Sequence, residues 1–546
     1  MSDTGSAPKA DEIELFQETV AAAQAGDLAK AFFLAGGALH HGLEHPLFYK
    51  LRGLEHQQWG RAAQAEADFR AALADAPDDF TLLDMLGLSL AAGGRLAEAL
   101  QAIDSALRIR PDYPPALVNR GWVLENLGDL AGARAAYRSA LSISPTEVRA
   151  HSGLALLAAR AGRSAEARRE AAEALRLANG EPGARLALAM AALSEGDAPG
   201  SEREARALLA EPQPLHPQQV GVAHTVLGDA LDRQERFGEA FEAYERANAA
   251  LRAHYGPQFG DGGTASGMAV VERLRRGFAA VKASDWSRGP SADGADAQGH
   301  AFVLGFPRSG TTLVGQVLDA HPQATTLDEL ETLAEPGATY LVDEAGLVRL
   351  AGAPPAELAD FRRRYWDRIA AAGVAPAGRL LVDKLPMNTL GLPVIARLFP
   401  AAKVVFVRRD PRDVVLSCFR RQFVMNGANW EFLSLESAAR FYDAVMRLAQ
   451  DYLQALPLDV HVLRHENLVG DFAGEAERLR LFLGLPPDPA MREFTGAANA
   501  ADIATPSAAQ VAGGLSGEGV GTWRRYEAQL EPVMPVLAPW IETFGY

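Results

Sequence analysis

The sequence predicts two architectures in one chain: an N-terminal all-α solenoid, followed by a C-terminal α/β domain with a central parallel sheet. Glycines at a fixed 34-residue spacing run through the N-terminal half. From Ala301 onward, short apolar runs alternate with helical segments, an order typical of parallel strands covered by helices. The length of 546 residues also exceeds what one hydrophobic core accommodates.

The N-terminal half is built from repeats. Glycine, proline and alanine each recur every 34 residues, at Gly26, Gly60, Gly94, Gly128, Gly162 and Gly196, at Pro77, Pro111 and Pro145, and at Ala72, Ala106, Ala140 and Ala174. This is the period of the tetratricopeptide repeat, a helix-turn-helix unit. Glycine ends one helix in a left-handed conformation, and proline stops the next. We therefore expect a solenoid whose groove binds a peptide or protein, or whose surface serves as a scaffold or forms a homodimer.

Composition changes mark the domain boundaries. We expect a disordered N-terminus (1–11), a repeat array (12–254), a linker with one short helix (255–298) and an α/β domain (299–546). The last repeat, LGDALDRQERFGEAFEAYERA, lies about five residues out of register. The linker is rich in glycine, serine and aspartate, which cannot support a core.

Charge and hydropathy narrow the class of protein. The net charge of −16 argues against nucleic-acid binding. The N-terminus shows no signal peptide, and no apolar run reaches the roughly 18 residues of a membrane helix, so we expect a cytoplasmic protein with no membrane partner. The single cysteine, Cys418, excludes an intrachain disulfide.

A glycine-rich loop follows the first predicted strand, AFVLGF. Residues Gly305 to Gly310 have the G-x4-G spacing of a phosphate-binding loop, and the following segment is a predicted helix. Backbone N–H groups at the start of such a helix favour an anion. Thr311 stands where nucleotide-hydrolysing loops have lysine, which argues against a P-loop kinase or ATPase. The alternative is an accidental turn of this composition.

These residues resemble a known family. GFPRSGTTL followed by LDAHP resembles the 5′-phosphosulfate loop of sulfotransferases, especially tyrosylprotein sulfotransferases and their bacterial repeat-bearing relatives, over residues 300–526. The resemblance implies a P-loop-like fold, 3′-phosphoadenosine 5′-phosphosulfate (PAPS) as donor, 3′,5′-ADP as product and no metal. The donor-binding residues that it implies are Pro307, Arg308, Ser309, Gly310, Thr311 and Thr312 on the 5′ side, and Arg409, Ser417 and Arg421 on the 3′ side.

The resemblance also implies a catalytic set of Glu329, Lys384 and Arg308. Glu329 would accept the proton of the acceptor hydroxyl, and Lys384 would offset charge on the leaving group. Lysine is scarce, at six of 53 basic residues, which makes Lys384 notable.

Each of these assignments has an alternative. Glu329 could belong to a solvated acidic turn in which Asp328 is the competing base. Lys384 could pair with Asp383. Arg409 could pair with Asp410 or Asp413.

The C-terminal motifs are less regular. HENLV (465–469) is interpreted as structural, and TPSAAQV (505–511) and GTWRRYEAQL (521–530) match the family. The intervening stretch has no basic residue, and Arg524 is the candidate replacement. We predict a sulfotransferase acting on a hydroxyl, with tyrosine of a peptide or protein as first choice. The alternatives are a carbohydrate or lipid acceptor, or a repeat adaptor with an inactive P-loop-like domain.

Overall fold

The computed structural model describes residues 10–212, 215–260, 266–286, 297–376, 378–491 and 519–546. The chain forms two compact units, Met1–Glu195 and Gly196–Tyr546. This division falls before the end of the predicted repeat array, because the last repeat-type helices pack within the unit that contains the sheet. Residues 1–9 of the predicted disordered N-terminus lie outside the described residues, and the first helix begins at Ala10.

The first unit is a succession of helical hairpins, which confirms the predicted solenoid. Its helices are α1 (Ala10–Gln24), α2 (Leu28–His40), α3 (Pro46–Gln58), α4 (Ala62–Asp75), α5 (Phe80–Ala92), α6 (Leu96–Ile109), α7 (Pro114–Asn126), α8 (Leu130–Ile143), α9 (Val148–Arg160), α10 (Ser164–Leu177) and α11 (Pro182–Ser194). The periodic glycines of this unit occupy the left-handed region, as Gly94 does with φ of +79°. Ala99 and Ala106 are fully buried, because only a small side chain fits where neighbouring helices meet.

The second unit begins with α12 (Ala198–Leu209), α13 (Pro217–Arg233), α14 (Phe237–Phe259) and α15 (Gly267–Ala279). Helices α13 and α14 form the repeat that lies out of register in the sequence. The short helix expected in the linker corresponds to α15, followed by a 3₁₀ turn at Ala283–Trp286. Residues 261–265 and 287–296 of that segment lie outside the described part of the chain.

A five-stranded parallel sheet forms the centre of the second unit. The strands are β1 (Gly299–Gly305), β2 (Ala324–Asp328), β3 (Leu380–Lys384), β4 (Lys403–Arg408) and β5 (Asp459–Arg464). They are ordered β2-β3-β1-β4-β5, and every pairing is parallel. Because β1 lies between β3 and β4, the loops that follow these three strands meet at one edge, where ligands of such sheets bind.

Helices cover both faces of the sheet. They are α16 (Thr311–Asp319), α17 (Ala334–Tyr340), α18 (Gly346–Ala351), α19 (Pro355–Ala371), α20 (Leu392–Leu398), α21 (Pro411–Arg420), α22 (Gly427–Trp430), α23 (Leu435–Ala455), α24 (His465–Gly470), α25 (Phe472–Leu483), α26 (Glu527–Leu530) and α27 (Met534–Phe544). Val303 of β1, Val314 of α16 and Leu479 of α25 belong to one buried apolar cluster. No helix in the described ranges is both long and apolar enough to cross a membrane.

Candidate active site

The loop between β1 and α16 turns through two left-handed residues. Arg308 has φ of +68° and Gly310 has φ of +103°. A Cβ atom at Gly310 would lie 2.4 Å from Nδ1 of His465, so glycine is required there for space as well as for conformation. Ser309 and Thr311 are buried on either side of Gly310. The loop therefore places buried hydroxyl groups at the N-terminus of α16, an arrangement that suits an anion.

Two buried arginines meet beside this loop. Nε of Arg308 donates a hydrogen bond to Oγ of Ser417 at 3.0 Å. Nη1 of Arg409 donates to the carbonyl oxygen of Arg308 at 3.0 Å, and its Nη2 donates to the carbonyl of Gly519. Burial, followed by repulsion from Arg421 and Arg409, lowers the pKa of Arg308 to about 9. Positive charge is thus concentrated in a buried site, and an anion would relieve the repulsion.

Three buried polar atoms at this site have no hydrogen-bond partner among the described residues. They are Oγ of Ser309, Nε of Arg409 and Nδ1 of His465. Burial, with Arg409 and Arg308 nearby, lowers the pKa of His465 to about 3. An unpaired buried polar group costs about 1–3 kcal/mol, so a bound group with several acceptor oxygens would stabilise this arrangement. The residues therefore fit a phosphate-bearing ligand.

His465 was interpreted from the sequence as structural, yet it contacts the loop. It follows the end of β5 directly, as the arginine Arg409 follows the end of β4. The carboxyl ends of parallel strands share one edge of the sheet. That position was therefore the sequence signal that could have assigned His465 to the site.

The candidate base and lysine lie on the other side of β1. Asp328 and Glu329 follow one another at the end of β2, and Asp328 stands opposite Lys384, the last residue of β3. Nζ of Lys384 is 3.0 Å from Oε1 of Glu329 and also pairs with Oδ1 of Asp328. Lys384 is 1% exposed, whereas Glu329 is 37% exposed. A buried cation is therefore held by two carboxylates that solvent and an acceptor can reach.

The structure decides between the alternative partners of Lys384 and Arg409. Asp383 does not bind Lys384: its carboxylate accepts hydrogen bonds from Thr332 at 2.6 Å and Tyr365 at 2.9 Å. Asp410 pairs with Arg412 at 2.7 Å. Lys384 is therefore directed toward Glu329 and Asp328.

The Asp413 carboxylate likewise forms its hydrogen bonds with groups other than Arg409. It accepts hydrogen bonds from the backbone N–H groups of Gly521 and Trp523, at 2.7 and 2.8 Å. Arg409 itself donates to two backbone carbonyl groups. Its charge is therefore not matched by a hydrogen-bonded carboxylate in the described part of the chain.

The remaining predicted residues are placed as follows. Pro307 and Thr312 are buried in the loop and in the first turn of α16. Nη1 of Arg421 contacts Oδ2 of Asp229, on α13, at 2.6 Å. Arg524 stacks on Trp523, with its guanidinium carbon 4.9 Å from the ring centroid. TPSAAQV (505–511) and the stretch 512–518 lie outside the described residues.

Comparison with known proteins finds similarity in both parts of the chain. Residues 301–489 match the model of the sulfotransferase family, and residues 51–114 and 114–147 match models of the tetratricopeptide repeat. The N-terminal part of the chain is therefore similar to tetratricopeptide repeats, and the C-terminal part is similar to the sulfotransferase family. The stretch that matches the sulfotransferase model includes the loop before α16, Glu329, Lys384 and Arg409.

Three relatives illustrate the similarity. A protein of Aquifex aeolicus is 28% identical over 249 residues, which are 43% of this chain and 32% of that protein. This match therefore spans about a third of the relative's length. A putative protein-tyrosine sulfotransferase of Caenorhabditis briggsae is 28% identical over 257 residues, 45% of this chain and 88% of that protein. Protein-tyrosine sulfotransferase 1 of Danio rerio is 26% identical over 258 residues, 45% of this chain and 71% of that protein.

Proposed function

We propose that this protein is a PAPS-dependent sulfotransferase that acts on a hydroxyl group, with tyrosine of a peptide or protein as its acceptor. The observation that carries the proposal is the meeting of buried Arg308 and Arg409 at the start of α16, one strand away from the Lys384–Glu329 pair. The similarity to the protein-tyrosine sulfotransferases of Caenorhabditis briggsae and Danio rerio supports tyrosine as the acceptor.

The donor would occupy the loop before α16, together with Arg409 before α21 and Ser417 in the second half of α21. Ser309, Thr311 and the N-terminus of α16 would hold its 5′-phosphosulfate, while Arg409 and Ser417 would hold its 3′-phosphate. Arginine and hydroxyl groups suit such an anion because they donate charge-assisted hydrogen bonds. PAPS supplies the activated sulfuryl group.

The protein's own residues would move one proton and stabilise one developing charge. As the acceptor oxygen bonds to sulfur, the Glu329 carboxylate takes the hydroxyl proton. The bond between sulfur and the bridging oxygen breaks, and Lys384 stabilises the negative charge that passes to 3′,5′-ADP. The contact of Lys384 with Glu329 keeps the two groups close enough to act on one reacting centre.

Equilibrium binding tests the donor first. The full chain is expected to bind 3′,5′-ADP in calorimetry with a chelator present, because the cationic groups of the site belong to the protein. Binding that required added Mg²⁺ would contradict the proposal.

Transfer of labelled sulfate then tests the reaction. A peptide with one tyrosine and the same peptide with phenylalanine are incubated with radiolabelled PAPS, and label is expected on the tyrosine peptide alone. Label found in lysate only on glycans or lipids would refute the peptide acceptor.

We further propose that the repeat array recruits the acceptor protein and that the enzyme is cytoplasmic. Tetratricopeptide repeats form extended concave surfaces that suit a peptide. Deleting residues 1–195 is expected to reduce sulfation of long protein substrates while leaving a short tyrosine peptide at high concentration unaffected. Equal loss on both would contradict recruitment.

A further inference from the structure

The last repeat hairpin, α13–α14, holds the C-terminal end of α21, the helix that carries Ser417. Nδ2 of Asn248 donates a hydrogen bond to the carbonyl oxygen of Phe419 at 2.9 Å. The rings of Phe241 and Phe419 stack with their centroids 5.1 Å apart. The last turn of α21 is therefore fixed by repeat-type helices through both a polar and an aromatic contact.

Ion pairs also join the hairpin to the end of α21. Oδ2 of Asp229 lies 2.6 Å from Nη1 of Arg421, and Oδ2 of Asp232 lies 3.2 Å from Nη2 of Arg420. The hydroxyl group of Tyr244 donates to Oδ1 of Asp229 at 2.8 Å. Asp229 thus pairs most closely with Arg421, while its Oδ1 also lies 3.8 Å from Nη2 of Arg420. The hydrogen bond from Tyr244 holds the Asp229 carboxylate in place.

Arg421 belongs to the side of this contact that adjoins the proposed PAPS site. It follows Ser417 by one helical turn, and Arg308 donates its hydrogen bond to Ser417. The charge of Arg421 is also close enough to Arg308 to lower the pKa of Arg308. A guanidinium has five N–H groups that can donate hydrogen bonds. Arg421 contacts Asp229 through Nη1, so its other N–H groups can bind a second anion.

We propose that Asp229 of the repeat hairpin is a positioning residue of the donor site, which holds Arg421 where it contacts the 3′-phosphate of the donor. This inference rests on the proposed use of PAPS. It makes α13–α14 a part of the enzyme, in addition to any role of the repeats in recruitment. A flexible arginine that is held in one place loses less freedom when it binds a phosphate.

The electrostatics of the contact agree with this role. Burial raises the pKa of Asp229, but the charges of Arg421 and Arg420 outweigh it and leave that pKa below its usual value. Asp229 in turn raises the pKa of Arg421. Both partners are therefore charged at neutral pH, and removing one charge leaves the other without its compensating partner.

The test compares two ligands that differ in the 3′-phosphate. Calorimetry on the full chain measures the affinities of 3′,5′-ADP and AMP. Asp229→Asn is expected to weaken 3′,5′-ADP binding about tenfold, within the range of coupled neighbouring charges, and to leave AMP unchanged. Arg421→Ala is expected to weaken 3′,5′-ADP selectively as well, and the double variant is expected to be no worse than Arg421→Ala.

Two matched variants separate positioning from folding. Asp232→Asn makes the same change one turn further along α13, beside Arg420, and is expected to leave the 3′,5′-ADP to AMP affinity ratio unchanged. Asp229→Glu keeps the charge and is expected to retain most of the selectivity. Thermal unfolding of every variant confirms that it is folded.

The outcomes distinguish the two proposals. A wild-type chain that does not bind 3′,5′-ADP overturns the proposed donor, and this inference with it. If wild type binds and Arg421→Ala weakens binding while Asp229→Asn does not, only the positioning role is overturned. Tighter binding by Asp229→Asn, or equal loss in Asp232→Asn, overturns that role too.

Discussion

The hairpins α7–α8 and α13–α14 follow the same internal plan in two different compact units. In each, a tyrosine of the second helix packs over a glycine of the first. A Cβ atom at Gly121 would lie 2.5 Å from the Tyr137 ring, and one at Gly228 would lie 2.5 Å from the Tyr244 ring. Each tyrosine hydroxyl donates to a carboxylate of the first helix.

The hairpins differ in what those carboxylates bind. Glu125 of α7 contacts Arg160 at 3.1 Å, an arginine of the following repeat that is half exposed. Asp229 of α13 contacts Arg421, which directly follows α21. One repeat plan therefore builds a solenoid in the first unit and supports the proposed donor site in the second. A repeat-type sequence does not by itself mark a recruitment surface.

Truncation of the second unit is expected to have the largest effect on folding. A fragment of residues 196–546 is expected to fold, whereas a fragment of residues 266–546 is expected not to. Without α13–α14, Phe419 would be exposed and Arg420 would lose its carboxylate. Breaking one buried ion pair costs about 3–5 kcal/mol, out of a typical total of about 5–15 kcal/mol. Circular dichroism and urea unfolding provide the measurement, and cooperative unfolding of the shorter fragment would contradict the expectation.

Glu329→Gln should have the next largest effect, on turnover alone. Glu329 lies beyond β3, on the opposite side of β1 from α21. The variant is expected to lower kcat roughly 10²–10⁴-fold, the contribution of a general base, while affinity for 3′,5′-ADP stays unchanged. Asp328→Asn is the control and should be milder. A loss smaller than about tenfold would exclude Glu329 as the base.

A pair of alanine variants sharpens the contrast between the two hairpins. Arg420→Ala is expected to destabilise its unit by about 3–5 kcal/mol, because its side chain is 9% exposed and the largely buried Asp232 loses its nearest cation. Arg160→Ala is expected to cost less than about 1 kcal/mol, because that side chain is 50% exposed. Urea unfolding of each compact unit measures both, and equal costs would mean that the two contacts are equivalent.

The smallest predicted effect is a dependence of stability on pH, which has opposite signs for Asp229 and Glu125. The pKa of Asp229 is lowered in the fold, so its stabilisation is present above the ordinary aspartate pKa of about 3.9 and is lost as pH falls below it. Burial raises the pKa of Glu125, so its contribution is largest at low pH and is lost as pH rises through the folded pKa. Asp229→Asn should therefore cost more stability at pH 7 than at pH 3.5. Glu125→Gln should cost less stability at pH 7 than at pH 3.5.

The comparison is made by urea unfolding at the two pH values. The parent chain serves as the reference at each pH, which removes the effect of the other titrating groups. The same sign for both variants would contradict the assigned pKa directions.

The sequence by itself determined those features that depend only on residues close together in the chain. The register of Gly94 and its counterparts predicts the hairpins, because a left-handed turn after a helix needs glycine whatever lies around it. The chain order of strand, loop and helix around Arg308 likewise predicts the loop. Lys384 and Arg409 were implied by the family resemblance, and each lies at or directly after the carboxyl end of a buried strand.

Only the tertiary structure decided the remaining features. Strand β2 has no continuous apolar pattern in the sequence, because Thr325 and Thr326 interrupt it, and pairing with β3 forms the strand. The partner of Arg421 lies 192 residues away on a helix whose pattern predicts another repeat. Periodicity records which face of a helix is buried but not what buries it. The contact that joins the last repeat to the end of α21 therefore exists only in the folded chain.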